Sequence, residues 1–181
     1  MGALGSFSEQ AGYMYVAREA LTDTAIVPLI TAEGVLEALD SKAIDKAIFP
    51  VMNNNGGIVI EAMHAMGKYN FAIETMFEMD IHHMLLVREG VTKELVTVIT
   101  SHDQALKQCR GYLDANWPEA DIMPYKDTAQ AAADLASLVL PATTAVVASR
   151  RAGELYGLSI LEASIQDAVH NRTTFVVATK R

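Results

Sequence analysis

Short apolar runs alternate with helical stretches from residue 25 to residue 179, and this alternation most limits what the chain can fold into. The apolar runs are AIVPLI (25–30), KAIFPVM (46–52), LVTVIT (95–100), ADIMPY (120–125), TAVVAS (144–149) and TTFVVAT (173–179). Helical periodicity fills most of the gaps, at TAEGVLEALD (31–40), IVIEAMHAMGKY (58–69), 101–115, the alanine-rich 127–140 and 149–156. A further short strand is expected at 158–161. Ahead of these, residues 6–21 place Phe7, Ala11, Met14, Ala17 and Leu21 on one helical face. Such alternation predicts an α/β protein with largely parallel sheets. Residues 70–87, NFAIETMFEMDIHHMLLV, read as one long extended region and as the crossing between two lobes. The opening GALGS is a glycine turn of the kind that leaves a strand, so an initial strand is expected before Met1.

Helix starts carry a second signal. SFSE (6–9), SHDQ (101–104) and DTAQ (127–130) each put a capping residue three before Glu or Gln. SRRAGE (149–154) also follows a strand directly. Strand ends and helix starts gather at one crevice in open α/β sheets, and helix N-termini attract anions. Ser6, Ser101, Asp127, Thr128 and Ser149 are therefore candidates to ring a pocket for carboxylates or phosphates. NNNGG (53–57) follows a buried strand, where ligands bind. HNRTTFVVA (170–178) sets an Asn, an Arg and two Thr at the mouth of a core strand, more polar groups than a turn requires.

Several classes are disfavoured. A net charge of −8 opposes nonspecific nucleic-acid binding. No apolar run approaches the roughly 18 residues of a membrane span, and residues 1–20 lack a signal-peptide pattern. The single cysteine, Cys109, excludes a disulfide framework, fits a reducing cytoplasm and reads as core filler. His82 and His83 alternate across a strand and do not make a metal site. GALGS lacks the lysine of a phosphate loop and the spacing of a dinucleotide turn.

Five blocks, in order, resemble the prephenate dehydratase family across the whole chain. They are GALGSFSEQAG, SHDQALKQCRGYL, DTAQAAADLA, VVASRRAGELYGLSILEASIQD and NRTTFVV. The resemblance implies two α/β lobes like type II periplasmic binding proteins, with the active site in the inter-lobe cleft. Lobe I would span 1–80 and lobe II 81–163, with 164–181 returning to lobe I. It implies decarboxylating dehydration of prephenate to phenylpyruvate in phenylalanine biosynthesis, with no metal or organic cofactor. A small-molecule substrate, no nucleic acid or membrane partner, and a homodimer or higher homo-oligomer are expected. By position, Thr173 matches the family's catalytic threonine. Asn53, Ser101 and Gln108 match its polar site residues, and Asn54 and Thr128 stand beside them. Three positions depart from the pattern: Met52 replaces a Glu, Asn54 a Ser, and Thr174 an Arg. Arg172 shares a strand face with Thr174 and is the candidate to replace that lost cation. The departures leave two alternatives, a non-aromatising prephenate decarboxylase and a non-catalytic two-lobed binder of small anions. No counterpart of the family's ACT-type regulatory domain is expected within these residues, and no seat for feedback control is expected in them.

Overall fold

Four strands from both ends of the sequence build the first sheet. A computed structural model describes residues 1–181 and divides them into two units, Met1–Ile81 with Asn171–Arg181, and His82–His170. The first unit holds α1 (Phe7–Arg18), α2 (Ala32–Asp40), β1 (Lys46–Asn53), β2 (Gly57–Ile58), α3 (Ile60–Met66), β3 (Phe71–Asp80) and β9 (Arg172–Lys180). Capping fixes two helix starts: the Ser6 hydroxyl accepts from the Glu9 N–H at 3.2 Å and the Thr31 hydroxyl from the Gly34 N–H at 3.0 Å. The sheet order is β2-β1-β9-β3, antiparallel at every pairing. Being central, β9 is covered on both faces. Phe175 and Val177 pack with Ala11, Tyr15 and Phe77 beneath α1, while Val176 and Ala178 pack with Leu36, Leu39 and Phe49 beneath α2.

The second unit holds β4 (Met84–Val87), β5 (Val98–His102), α4 (Asp103–Gln108), α5 (Arg110–Asn116), β6 (Asp121–Tyr125), α6 (Thr128–Ala136), β7 (Thr144–Ala148), α7 (Arg150–Tyr156) and β8 (Ser159–Glu162). Its sheet order is β6-β5-β7-β4-β8. β5 is parallel to β6 and β7, and β4 is antiparallel to β7 and β8. β7 is buried along its whole length, and Leu85, Ile99, Leu113, Leu135 and Val146 are the large side chains of its two cores.

The structure revises five expectations. Only β5, β6 and β7 run parallel. β9 returns to the first sheet between β1 and β3, antiparallel to both, so helical crossovers do not set its direction. AIVPLI forms no strand: Pro28 interrupts any donor row, and Val27 and Ile30 are exposed at 58% and 67%. Instead it walls a cavity of about 520 Å³ with Tyr15, Val35 and Ile48, which none of the candidate site residues lines. The long extended region is two strands, β3 and β4, in separate sheets. Residues 164–170 belong with the second unit, because Ile165 is buried in its core and donates its N–H to the His83 carbonyl at 3.0 Å.

The fifth revision concerns 101–115, which is two helices broken at Cys109 (φ −114°, ψ 9°). The second start is capped from far along the chain. The Asp167 carboxylate accepts from the N–H groups of Gly111 at 2.8 Å and Tyr112 at 2.7 Å. Asp167→Ala should cost about 1–2 kcal/mol, the upper range for a lost cap. Urea unfolding checks this, and an unchanged midpoint would show that the cap adds nothing.

Candidate functional site

The polar mouth of β9 becomes a hydrogen-bonded cluster around Thr173. β1 and β9 pair with Asn53 opposite Thr173, so the sheet register itself brings the two together. Asn53 Oδ1 accepts from the N–H groups of Asn55 (2.9 Å) and Gly56 (2.7 Å) in the following turn. Backbone N–H groups only donate, so the oxygen must face the turn and the amide NH₂ must face β9. There Asn53 Nδ2 reaches Asn171 Oδ1 at 2.9 Å, Thr173 Oγ1 at 3.0 Å and the Arg172 carbonyl at 3.1 Å. Asn54 grips the same strand from its exposed position. Its Oδ1 accepts from the Arg172 N–H at 2.8 Å, and its own N–H donates to the Arg172 carbonyl at 3.0 Å. Thr173 is buried to 8% exposure and Asn171 to 3%. Because the Thr173 oxygen accepts from Asn53, the hydroxyl hydrogen remains to be donated elsewhere. The cluster can therefore hold a directional O–H donor in a half-dry setting.

Arg172 lies beside this cluster with its charge already engaged. Its Nε donates to Asp80 Oδ1 at 2.9 Å, and its Nη1 lies 3.6 Å from Glu78 Oε2, both on the neighbouring β3. The two carboxylates raise its pKa, the Asp80 hydrogen bond most. The position taken for a replacement cation is thus a cross-strand ion pair.

Ser101 and Thr128 meet in the second unit. Ser101 is the penultimate residue of β5 and fully buried, and it is no helix cap; the His102 ring caps α4, accepting from the Gln104 N–H at 3.2 Å. The Ser101 hydroxyl donates to the Val147 carbonyl at 2.6 Å and lies 3.2 Å from the Thr128 hydroxyl. Thr128 opens α6, whose N-cap Asp127 accepts from the Gln130 N–H at 2.8 Å. Ser6 and Ser149 are plain N-caps of α1 and α7. Gln108 ends α4, and its Oε1 lies 2.7 Å from His83 Nε2.

Sequence reasoning missed Asn171, Asn55 and His83. Asn171 stood within the polar stretch before β9, and its position there was the available signal. His83 looked like an alternating strand residue, yet it is 3% exposed just before β4. Burial lowers its pKa from 6.5 most strongly, the Gln108 contact raises it, and the nearby His82 lowers it. The folded protein therefore holds the ring neutral, while the unfolded chain binds a proton near pH 6.5. A depressed folded-state pKa gives stability that is present above about pH 6.5 and is lost as pH falls towards the folded value. Melting temperature measured from pH 8 to 5 should fall more in the wild type than in His83→Gln. Burial also pushes the Cys109 thiol up to about 12, so that sulfur is a packing atom. No three His, Cys, Asp or Glu side chains converge as metal ligands.

The chain forms two α/β units, and Thr173 is buried on the strand that re-enters the first sheet. A family model for prephenate dehydratase matches residues 1–181, and the chain belongs to that family. It is 35% identical to arogenate dehydratase 5 of Arabidopsis thaliana over 97% of its own length, and it spans 40% of that relative. The prephenate dehydratase of Arthrobacter aurescens, solved in complex with L-Phe, superposes with a TM-score of 0.88 at 27% identity. That match covers 100% of this chain and 59% of the other. A quorum-quenching acylase, GqqA, superposes at 0.84 with 27% identity, covering 99% and 62%. No helix is long and apolar enough to cross a membrane.

Proposed function

We propose that the chain is a carbon–oxygen lyase that converts prephenate to phenylpyruvate, acting in the cytoplasm as a homo-oligomer. The observation that carries this is the Thr173 hydroxyl, held by Asn53 at 3.0 Å in a chain that matches the family from end to end. The reaction breaks two bonds of the prephenate ring. The ring carboxylate leaves as CO₂, its bonding electrons complete the aromatic ring, and the C4 hydroxyl leaves and is protonated to water. Aromatisation supplies most of the driving force, so the protein need only hold the anionic substrate and stabilise the departing hydroxide. Thr173 donates to that oxygen. Asn53 orients Thr173, while Asn171 and Asn54 fix Asn53 and the backbone of Arg172. Thr128, its hydroxyl engaged with Ser101, offers its backbone N–H at the start of α6, and Gln108 offers its amide NH₂, as neutral donors to substrate oxygens. Arg172 contributes through its ion pair with Asp80, which steadies the strand mouth, rather than by gripping a carboxylate.

Acyl transfer fits less well. A nucleophilic threonine needs a base beside it, and the group on the Thr173 oxygen is the Asn53 amide NH₂, which is no base. Met52 and Thr174, in place of the family's Glu and Arg, favour a second reading, decarboxylation without aromatisation. Incubating the purified chain separately with prephenate and arogenate decides between them. Phenylpyruvate from prephenate supports the proposal, phenylalanine from arogenate moves the substrate, a dihydro product selects the second reading, and no turnover overturns all three.

A further inference from the structure

His83 is clamped on both sides of its backbone. Its N–H donates to Gln166 Oε1 at 3.0 Å, and its carbonyl accepts from the Ile165 N–H at 3.0 Å. Asp167, the next residue of that segment, donates its N–H to the Gln108 carbonyl at 2.8 Å. Residues 165–167 thus fix the backbone of both partners before the side chains meet. Between them, His83 Nε2 lies 2.7 Å from Gln108 Oε1. With the amide oxygen facing the ring, the contact is a hydrogen bond when Nε2 carries the hydrogen, and a neutral ring is sufficient for it.

Such a bond would decide which way the Gln108 amide faces. A glutamine carboxamide has an acceptor end and a donor end of nearly equal size, and packing alone discriminates weakly between the two orientations. Turned one way it offers NH₂ to an anion, and turned the other it sets an oxygen against the anion. We propose that His83 is a positioning residue for Gln108, holding the amide oxygen so that the NH₂ end addresses a substrate oxygen. The inference rests on the preceding assignment of Gln108 to substrate binding.

The test is a double-mutant cycle on the full chain, with prephenate as substrate. His83→Leu removes the donor while keeping bulk. It should raise KM about tenfold and leave kcat within about threefold, the signature of lost binding. His83→Gln, which can still donate from a similar position, should recover most of the loss. Once Gln108→Leu has removed the amide, adding His83→Leu should cost nothing further, because the two act as a unit. A purely structural histidine would instead lower the melting temperature with KM unmoved, and its effect would add to that of Gln108→Leu. Either result overturns the proposal. If His83→Leu does not fold, the ¹⁵N spectrum of the wild-type ring still decides. A hydrogen on Nε2 whose signal shifts in Gln108→Leu supports the proposal, and a hydrogen on Nδ1 overturns it. A wild-type chain with no turnover overturns the assigned function and this proposal together, whereas an active wild type with an unmoved KM in folded His83→Leu overturns this proposal alone.

Discussion

Thr173→Val should lower turnover of prephenate by about a hundredfold or more, the usual scale for losing proton-transfer assistance. Valine keeps the β-branched shape and suits a strand, so β9 should still form. The fold loses one partner of the Asn53 amide, whose NH₂ keeps Asn171 Oδ1 and the Arg172 carbonyl. The stability cost should be about 1 kcal/mol, far too small to explain such a rate loss. Steady-state kinetics beside a urea titration separate the two effects. A valine variant that turns over normally would remove Thr173 from the mechanism.

Asn53→Asp should be nearly as severe for a different reason. The substitution is almost isosteric and leaves the oxygen that accepts from Asn55 and Gly56. It places a second carboxylate oxygen against two acceptors, Asn171 Oδ1 and the Arg172 carbonyl, and draws the Thr173 hydroxyl hydrogen onto itself, away from any substrate. We expect a loss of about 2–3 kcal/mol, within the range for unsatisfied buried groups, and turnover down by about a hundredfold. The new carboxyl would have a raised folded-state pKa, since protonation relieves the repulsion. The stability deficit should accordingly shrink as pH falls towards about 4. Full activity in this variant would show that the donor on Asn53 does not direct Thr173.

Much of the architecture was legible because apolar runs and caps are local signals. β1, β7 and β9 announced themselves by continuous burial-prone residues, and Asp127 and Ser149 cap where their spacing placed them. What escaped was decided by partners distant in sequence. The break at Cys109 depends on the Asp167 carboxylate, which no window around 101–115 contains. Ser101 was misread because SHDQ fits a capping box, whereas β5 continues one residue further and His102 takes the cap. AIVPLI has strand composition but a proline at its centre, and the sheet order gives it no neighbour. The Asn53–Thr173 register and the bridging role of Asn171 needed the antiparallel return of β9, and alternation alone argued for the opposite direction.

That return of β9 also orders the protein's assembly during synthesis. The second unit is one continuous stretch, His82–His170, and every strand of its sheet is synthesised before β9. Most of the first unit is made earlier yet lacks the strand that joins β1 to β3, so its sheet cannot close until β9 arrives. Domains generally fold in order from the N-terminus. Here the later-translated unit should finish first, and the earlier one waits with β1 and β3 unpaired, paying a long loop closure when β9 docks. Thr173 sits on that strand, so its hydroxyl meets Asn53 only in the step that completes the first sheet.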